Sequence, residues 1–528
     1  MGPIAKITFW IMCFLCIVTP FLEAARILAI IPIPSYSHQI AYRSLWTALS
    51  QRGHELVVLT TDPVNDPAIT NLTEIDFHYN YNVQKMNFVK LMEQFTWINF
   101  EFNYFFNMCH ICTENIYKHS EVRKMYAADS DQKFDVVLVE SVKTPGLYPL
   151  AHRFNAPLIG ISSLKLYNYD YYLLGAPVLP SHPSNWEMEK ATGFNLSLWQ
   201  RLNNFIQYWY YVYYVLNYFF PEQQAIAEKY LGKNIPDIRD MERNISFMLH
   251  FQQEAMSFIR PTTPNVIVIG NLHILKEPPA LPKDLDEFLT DAPNGFIYMS
   301  LGSNVFMSHF SQHVLDIFHN VFASLSCKIV WKSDKELRNK SDNIYTAKWL
   351  SQQSLLAHPK IRLFIYQGGL QSTEEAVYNA VPLIGIPILA DQFTNINKLV
   401  SLGVAKYLAY QNISKEIVNS SITDILNDKR YKENMLKLKA LNEDKPYNLL
   451  ENAIWWIEFV IRHKGAPHFR CSIAYDPWYQ RYDMDIIAIL SIAIFVILFF
   501  ILVIIYKLLK IIFNRITKKQ VNVTKKDN

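Results

Sequence analysis

Short apolar runs alternate along this chain with longer amphipathic stretches, the pattern of parallel strands joined by crossover helices. Residues 26–31, 55–60, 134–139 and 157–161 read as strands of a first unit, and residues 295–301, 328–331, 362–365 and 383–386 as strands of a second. Each run ends beside a polar or glycine-containing loop, and ligands of open parallel sheets bind at such carboxyl ends. Between the units, residues 261–282 carry Pro261, Pro264, Pro278, Pro279 and Pro282 and read as a linker. The expected fold is therefore α/β, with two doubly wound domains, residues 25–260 and 283–465, facing each other across a cleft.

Both ends of the chain change that picture. Lys6, the apolar run 7–22 and the small residues Ala24 and Ala25 read as a secretory leader, residues 1–24. Residues 486–506 carry no charge and are long enough to cross a bilayer as a helix. Lys507, Lys510, Arg515, Lys518 and Lys519 follow at once and predict that residues 507–528 are a cytosolic tail. The final Lys525-Lys526-Asp527-Asn528 resembles the dilysine retrieval signal of endoplasmic-reticulum membrane proteins. The expectation is a single-pass type I protein of that membrane with lumenal domains. Sequons at Asn71, Asn195, Asn244, Asn339, Asn412 and Asn419 are then glycosylation candidates, whereas Asn522 faces the cytosol and stays bare.

With 528 residues and a formal charge of +3 the chain is close to electrically balanced, and no nucleic-acid partner is implied. Tyr (31) and Phe (33) are abundant, and many fall in residues 196–220, LSLWQRLNNFIQYWYYVYYVLNYFF. That stretch reads as a lid over a greasy pocket, as a helix resting on a bilayer, or as a helix buried against the first sheet. Cys109 and Cys112 flank His110 in a CxxC, but no second ligand pair follows. Burial or a local disulfide accounts for them without a metal.

Residues 364–392, FIYQGGLQSTEEAVYNAVPLIGIPILADQ, combine a strand end, a two-glycine turn, a polar helix start and a closing Asp-Gln. Gly368 and Gly369 let backbone N–H groups approach an anion, and Ser372 and Thr373 open a helix whose free N–H groups and dipole favour a diphosphate. Glu375 is placed to take ribose hydroxyls, and Asp391 and Gln392 those of a hexose. The stretch resembles the signature of the UDP-glycosyltransferases, and Gln-Gly-Gly-Leu-Gln-Ser-Thr-Glu-Glu resembles most the arthropod membrane-bound members. Two positions depart from the family wording: Tyr366 stands where Thr or Ser is usual, and Gln367 where vertebrate relatives carry histidine.

The resemblance implies the GT-B architecture and a set of donor contacts. Trp349-Leu350-Ser351-Gln352 is similar to a Trp-x-Pro-Gln in which the indole stacks on uracil and the glutamine reads its edge, with Ser351 in place of proline. Ser303, in the turn after the first strand of the second unit, resembles a second phosphate contact. The UDP-sugar site expected is thus Ser303, Trp349, Gln352, Gln367, Gly369, Gln371, Ser372, Glu375, Asp391 and Gln392.

His38 follows the first strand in a Ser-x-His context similar to that of the family's general base, and imidazole titrates nearest working pH. Its orienting carboxylate, an aspartate in the family, falls by register on Glu140, with a solvated strand-end glutamate as the alternative, while Asp135 is expected inside the strand. No Asp-x-Asp motif lies near these elements, so the expected transfer needs neither metal nor cofactor, the UDP-sugar being a co-substrate. The reading is inverting transfer of a hexose, glucose by the arthropod resemblance, to a hydroxyl of a small lipophilic acceptor. Glucuronate transfer by the same fold and a non-catalytic UDP-sugar-binding homologue are the alternatives, and a homo-oligomer is compatible with either. A nucleotide-dependent oxidoreductase is the other doubly wound option, and the lack of a GxGxxG after the first strand argues strongly against it.

Overall fold

Among the described residues, seven parallel strands form one sheet in the order β3-β2-β1-β4-β5-β6-β7 and six form a second in the order β10-β9-β8-β11-β12-β13. In the first sheet these are β1 Arg26–Ile30, β2 Glu55–Thr60, β3 Leu72–Asp76, β4 Val136–Glu140, β5 Leu158–Ser162, β6 Met248–His250 and β7 Val266–Val268. In the second they are β8 Phe296–Ser300, β9 Lys328–Lys332, β10 Ile344–Ala347, β11 Ile361–Tyr366, β12 Leu383–Gly385 and β13 Ala405–Tyr407. This computed structural model describes residues 24–188, 193–337 and 340–524. The expected leader up to residue 23, the sequon residue Asn339 and the terminal Lys525 and Lys526 lie outside them.

Both faces of each sheet are covered, which explains why the strands read as unbroken apolar runs. In β1 and its neighbour β4, Ile27, Ala29, Val136 and Leu138 pack to one side, and Leu28, Ile30, Val137 and Val139 to the other. The second sheet divides likewise, with Ile297, Met299, Ile329 and Trp331 on one face and Phe296, Tyr298, Val330 and Phe364 on the other.

Three features differ from the sequence reading. The segment expected to be all linker, 261–282, contributes β7 to the edge of the first sheet before the linker proper begins. The segment expected to close the second domain, Leu449–His463, lies against the first sheet. Its Ala453, Ile454, Ile457 and Val460 join the core of Ile27, Leu45 and Leu49, and Arg52 donates to Glu458 at 3.0 Å. Asp135 precedes β4, where its carboxylate accepts from the Arg26 N–H at 2.7 Å.

The aromatic stretch forms the helix Leu198–Tyr214, continued by a π-helical turn, Val215–Phe219, into Phe220–Leu231. Tyr208, Tyr211 and Val212 are buried against Trp97, Phe100, Phe106 and Tyr167, while the opposite face is exposed. Cys109 and Cys112 are buried in the same cluster as free thiols, which their burial keeps protonated. Lys143 is also enclosed there, its ammonium 3.8 Å and 4.2 Å from the ring centroids of Tyr167 and Tyr169 and bonded to the Tyr211 hydroxyl.

A separate unit, residues 472–528, contains the helix Met484–Thr524. Its apolar part, Met484–Lys518, is long and apolar enough to cross a membrane, and its most apolar stretch is not buried. The helix runs on past residue 506 through the basic residues, so the expected tail is helical as far as Thr524.

Because Leu449–His463 straps the end of the second unit onto the first sheet, Ile457→Ala is expected to cost about 2–5 kcal/mol. The exposed Leu441→Ala is expected to leave stability almost unchanged. Thermal unfolding of the two detergent-solubilised variants beside the parent checks this.

Candidate active site

Strand order reverses between β1 and β4 in one sheet and between β8 and β11 in the other. At such points adjacent loops part and leave a crevice at the carboxyl edge. Residues following all four strands, including His38, Val142, Ser303 and Gln367, line one cleft of 390 Å³.

His38 stands in a single helical turn, Tyr36–Ile40, and not in the open loop its sequence suggested. Its Nδ1 lies 2.9 Å from Oε1 of Glu140, the fully buried last residue of β4. Ser163 donates its hydroxyl to the same oxygen at 2.7 Å. An ionised carboxylate only accepts, so Nδ1 carries the ring proton and Nε2 keeps its lone pair on the side of the cleft. The extra methylene of glutamate spans the gap from the strand end to the ring. Tyr42 is buried beside this carboxylate, and burial together with that charge drives its hydroxyl well above the usual range, so it stays protonated.

Across the cleft, the helix Leu370–Tyr378 begins after Gly369. Gly368 has φ +97°, and a Cβ there would lie 2.8 Å from Ile396 and 3.0 Å from the Gln392 carbonyl, so glycine alone fits. The amide of Gln367 reaches the neighbouring turn, where a Cβ on Gly302 would meet its Nε2 at 2.1 Å. Tyr366, the departure from the family wording, is anchored by its hydroxyl, 2.8 Å from Thr373 Oγ1, which in turn donates to the Gly369 carbonyl at 3.0 Å. The tyrosine therefore braces the turn from behind.

Trp349 is 57% exposed on the cleft wall, with Tyr36 edge-on at 5.0 Å. Lys332 places its ammonium 4.2 Å from the indole centroid and donates to the Gly302 carbonyl at 2.8 Å; burial lowers its pKa to about 8. Ser351 keeps a proline-like φ of −70°, so the loop holds its course without the ring. Gln352 donates to Ser372 Oγ at 2.8 Å and to Glu375 at 2.6 Å, and Gln353 donates to the other oxygen of Glu375 at 3.2 Å. Burial pushes the Glu375 carboxyl up to about 7, against the pull of these two amides.

At the far end, Asp391 accepts from Asn395 at 2.8 Å. Burial raises its pKa, and the charges of Lys165 and His38 oppose that rise. Gln392 turns its oxygen to the N–H groups of Ile388 and Leu389, leaving its amide nitrogen as the donor. Gln371 lines the cleft with its amide donated to the Ser163 carbonyl at 2.8 Å, bridging the two domains where a donor contact was expected. Ser303, Gly369 and Ser372 all line the cleft.

The structure thus brings together every expected catalytic and donor residue except Glu140, which lies behind His38 and reaches the cleft through it. The sequence reading passed over Lys332, Gln353, Lys165 and the interdomain bond from Asn304 to Ser35 at 3.0 Å. Lys332 closes β9, and that position at a strand's carboxyl end was the signal available.

Two facing Rossmann-like domains around such a cleft are the GT-B glycosyltransferase architecture. The chain is similar in fold to the glycotransferase of kitacinnamycin, with a TM-score of 0.55 and 16% identity over 84% of this chain and 100% of that one. It is likewise similar to the spinosyn forosaminyltransferase SpnP, with a TM-score of 0.53 and 14% identity over 83% and 100%. Residues 26–523 match the family described as UDP-glucoronosyl and UDP-glucosyl transferase, and the chain belongs to that family; it is a glycosyltransferase. Among relatives, UDP-glycosyltransferase UGT5 of Dactylopius coccus is 32% identical over 92% of this chain and 93% of its own length. UDP-glucuronosyltransferase 2B15 of Homo sapiens is 29% identical over the same shares, 92% and 93%.

The ribose contact expected of Glu375 predicts a pH dependence for donor binding. With its carboxyl raised to about 7, Glu375 takes up a proton as pH falls through that value and no longer offers two acceptor oxygens. UDP-glucose, whose phosphates stay ionised, is expected to bind more weakly as pH falls from about 8 to about 6. Glu375→Gln is expected to flatten the curve. Calorimetric titration decides: an imidazole phosphate contact gives the opposite slope, and tightening on acidification refutes the role of Glu375.

Proposed function

We propose that this glycosyltransferase moves a hexose, glucose, from its UDP carrier to a hydroxyl of a small lipophilic acceptor with inversion at the anomeric carbon. The observation that carries the reading is the His38–Glu140 pair at 2.9 Å on one wall of the cleft, opposite the Gln367–Ser372 turn on the other. Nε2 of His38 takes the proton of the acceptor hydroxyl as its oxygen forms the bond to the anomeric carbon. The bond from that carbon to the UDP oxygen breaks on the opposite face, so an α-linked donor gives a β-glycoside. Glu140 stabilises the imidazolium formed. Charge growing on the leaving diphosphate meets the N-terminal N–H groups of Leu370–Tyr378, the Gln367 amide, Ser303 and the Lys332 ammonium. In this reading the donor is a co-substrate, and protein groups supply the positive charge that the leaving group needs.

Around His38 the cleft is lined by Ile33, Phe88, Trp97, Phe100, Val142 and Tyr167, which favours a flat apolar acceptor. Relatives named for glucosyl and glucuronosyl transfer lie at nearly equal identity, 31% and 29%, and do not choose the sugar. Electrostatics favour the neutral one. Lys165 is buried near Asp391, which already answers its charge, so a uronate carboxylate added there meets the Asp391 charge without a cation of its own. Product formation by microsomes expressing the chain tests the reading, with UDP-glucose or UDP-glucuronate offered alongside phenols, steroids and anthraquinones. Preference for the uronate donor overturns the choice of glucose.

His38→Ala is expected to lower turnover by about a hundredfold to ten-thousandfold while UDP binding survives. Glu140→Gln is expected to lower turnover with little change in donor affinity. Glu140→Asp also loses turnover, because the shorter side chain cannot span from the end of β4 to Nδ1. Initial rates and UDP affinity of the three variants check this, and a Glu140→Asp enzyme as fast as the parent refutes the geometry.

We further propose a lumenal catalytic unit held at the endoplasmic-reticulum membrane by the apolar helix Met484–Lys518. Asn195, Asn412 and Asn419 are exposed and suited to carry glycan. Asn71 is set apart, since its Nδ2 donates to the carbonyls of Ser50 at 2.9 Å and His54 at 2.7 Å. Endoglycosidase H is expected to shift the intact protein, and Asn71→Gln to leave the size of the shift unchanged. A smaller shift in that variant contradicts the assignment at Asn71.

A further inference from the structure

We propose that Glu374 is a positioning residue of the donor site, held as the neutral carboxylic acid at working pH and tying the helix Leu370–Tyr378 to the interdomain linker. That helix begins at the glycine turn and carries two adjacent carboxyl residues, Glu374 and Glu375, with exposures of 0% and 4%. Two buried negative charges side by side at an anion-binding helix start repel each other and the anion, and a proton on one of them relieves both. Glu375 lines the cleft, whereas Glu374 does not and meets the linker instead.

The surroundings of Glu374 suit an acid better than an ion. Asn271, in a left-handed conformation with φ 63°, donates its N–H to Oε2 at 3.1 Å. Oε1 and the Gln253 amide pack together over Gly270, where a Cβ would collide with both. In one of its two settings that amide offers its oxygen to a proton on Oε1. Among the described residues no lysine or arginine forms an ion pair with Glu374, and Lys445, whose charge reaches it, is bonded to Glu254 at 2.9 Å. His273 Nδ1 stands 3.6 Å from Oε2, beyond the roughly 2.7–2.9 Å of a charge-assisted bond. Its Nε2 donates to the Gln371 carbonyl at 3.1 Å, and burial lowers the ring to about 4, so Nδ1 turns a lone pair to the carboxyl. Burial raises Glu374 to about 8, with the Glu375 charge adding to the rise and Asn271, Gln253 and Lys445 opposing it. The tie continues to Glu375, because Gln353 donates both to the His273 carbonyl at 3.0 Å and to Glu375 at 3.2 Å. Protonated, Glu374 holds this linkage and leaves Glu375 as the one charge beside the diphosphate. Ionised above pH 8, it adds a second.

The inference rests on the donor site of the proposed reaction but not on the choice of sugar, so UDP is the probe. The full chain and its Glu374→Gln variant, whose amide keeps the shape and neutrality of the acid without ionising, are titrated with UDP from about pH 7.5 to 9.5. The parent is expected to lose affinity more steeply than the variant above pH 8, by about threefold to tenfold over one unit, tenfold being the limit for one proton. Lys332 loses its proton in the same range in both proteins, so the difference between the curves carries the result, and parallel curves overturn the proposal. Glu374→Leu, unable to accept from Asn271, is expected to bind UDP roughly tenfold more weakly than Glu374→Gln throughout, and equal affinity removes the positioning role. Thermal unfolding needs no ligand and reads Glu374 even where the donor-site reading fails. The unfolded chain releases the proton near the ordinary carboxylate value and the folded protein keeps it to about 8, so the parent loses stability as pH rises through that window. Glu374→Gln is expected to gain on the parent from about pH 5 to about pH 8 and to hold the gap above. A gap that stays level or shrinks as pH rises, or a variant that does not fold, overturns the proposal and gives Glu374 an ion pair with His273 instead.

Discussion

Parallel pairing is the constraint on which the rest of this structure depends. No parallel strand can be joined to its neighbour by a tight turn, so each connection must climb over a sheet face and return. Every loop leaving a carboxyl end then opens on the same edge. Where the order reverses, between β1 and β4 and between β8 and β11, two such loops part. The two sheets share their open edges in one cleft, and the bonds from Asn304 to Ser35 and from Gln371 to Ser163 fasten the edges together. The strap Leu449–His463, returning to the core of the first sheet, adds a further tie between the halves.

Within that cleft the buried charges explain one another. Glu140, Glu375 and Asp391 are all nearly excluded from solvent, which is costly for a carboxylate without partners. Glu140 has the ring of His38 and the Ser163 hydroxyl, Glu375 has two glutamine amides, and Asp391 has Asn395 and the nearby charge of Lys165. The partners differ in kind, and so do the consequences. The Lys165 charge and the Asn395 amide oppose the rise that burial gives Asp391 without cancelling it, and two glutamine amides leave Glu375 at about 7.

The first domain carries a second, aromatic core beside its sheet. Phe, Tyr and Trp from the segments around Trp97, Tyr167 and Tyr208 enclose the acceptor end of the cleft and the inner face of the helix Leu198–Tyr214. Even a cation is accommodated there, because the faces of Tyr167 and Tyr169 and the Tyr211 hydroxyl replace the water lost by Lys143. The abundance of Tyr and Phe in the composition is thus the material of one wall of the active site.

How much of this was legible in the sequence follows from the range of the interactions. Strands β1, β2, β4, β5, β8, β9 and β11 were legible because a strand buried on both faces is an apolar run whatever its neighbours, whereas the half-exposed edge strands β3 and β10 were not read. The donor elements were legible because Gly368, Gly369 and Ser372 act through backbone geometry a few residues long. Strands β6, β7, β12 and β13 have three residues each, too few to show a period, and of these only β12 was marked by its apolar flank. Residues 449–463 were assigned to the second domain by their place in the chain, and which sheet they cover is a matter of long-range packing. His38 and Glu140 could each be singled out by position after a strand. That the glutamate reaches the imidazole was decided by β1 and β4 lying side by side, a pairing across roughly a hundred residues that no local pattern encodes. The sequence by itself determined most of the doubly buried strands, where an anion is cradled and which helix is apolar enough for a bilayer, because these rest on backbone conformation and transfer out of water. Only the tertiary structure decided which charges meet, because burial and distance between remote residues exist only once the sheets have closed on their helices.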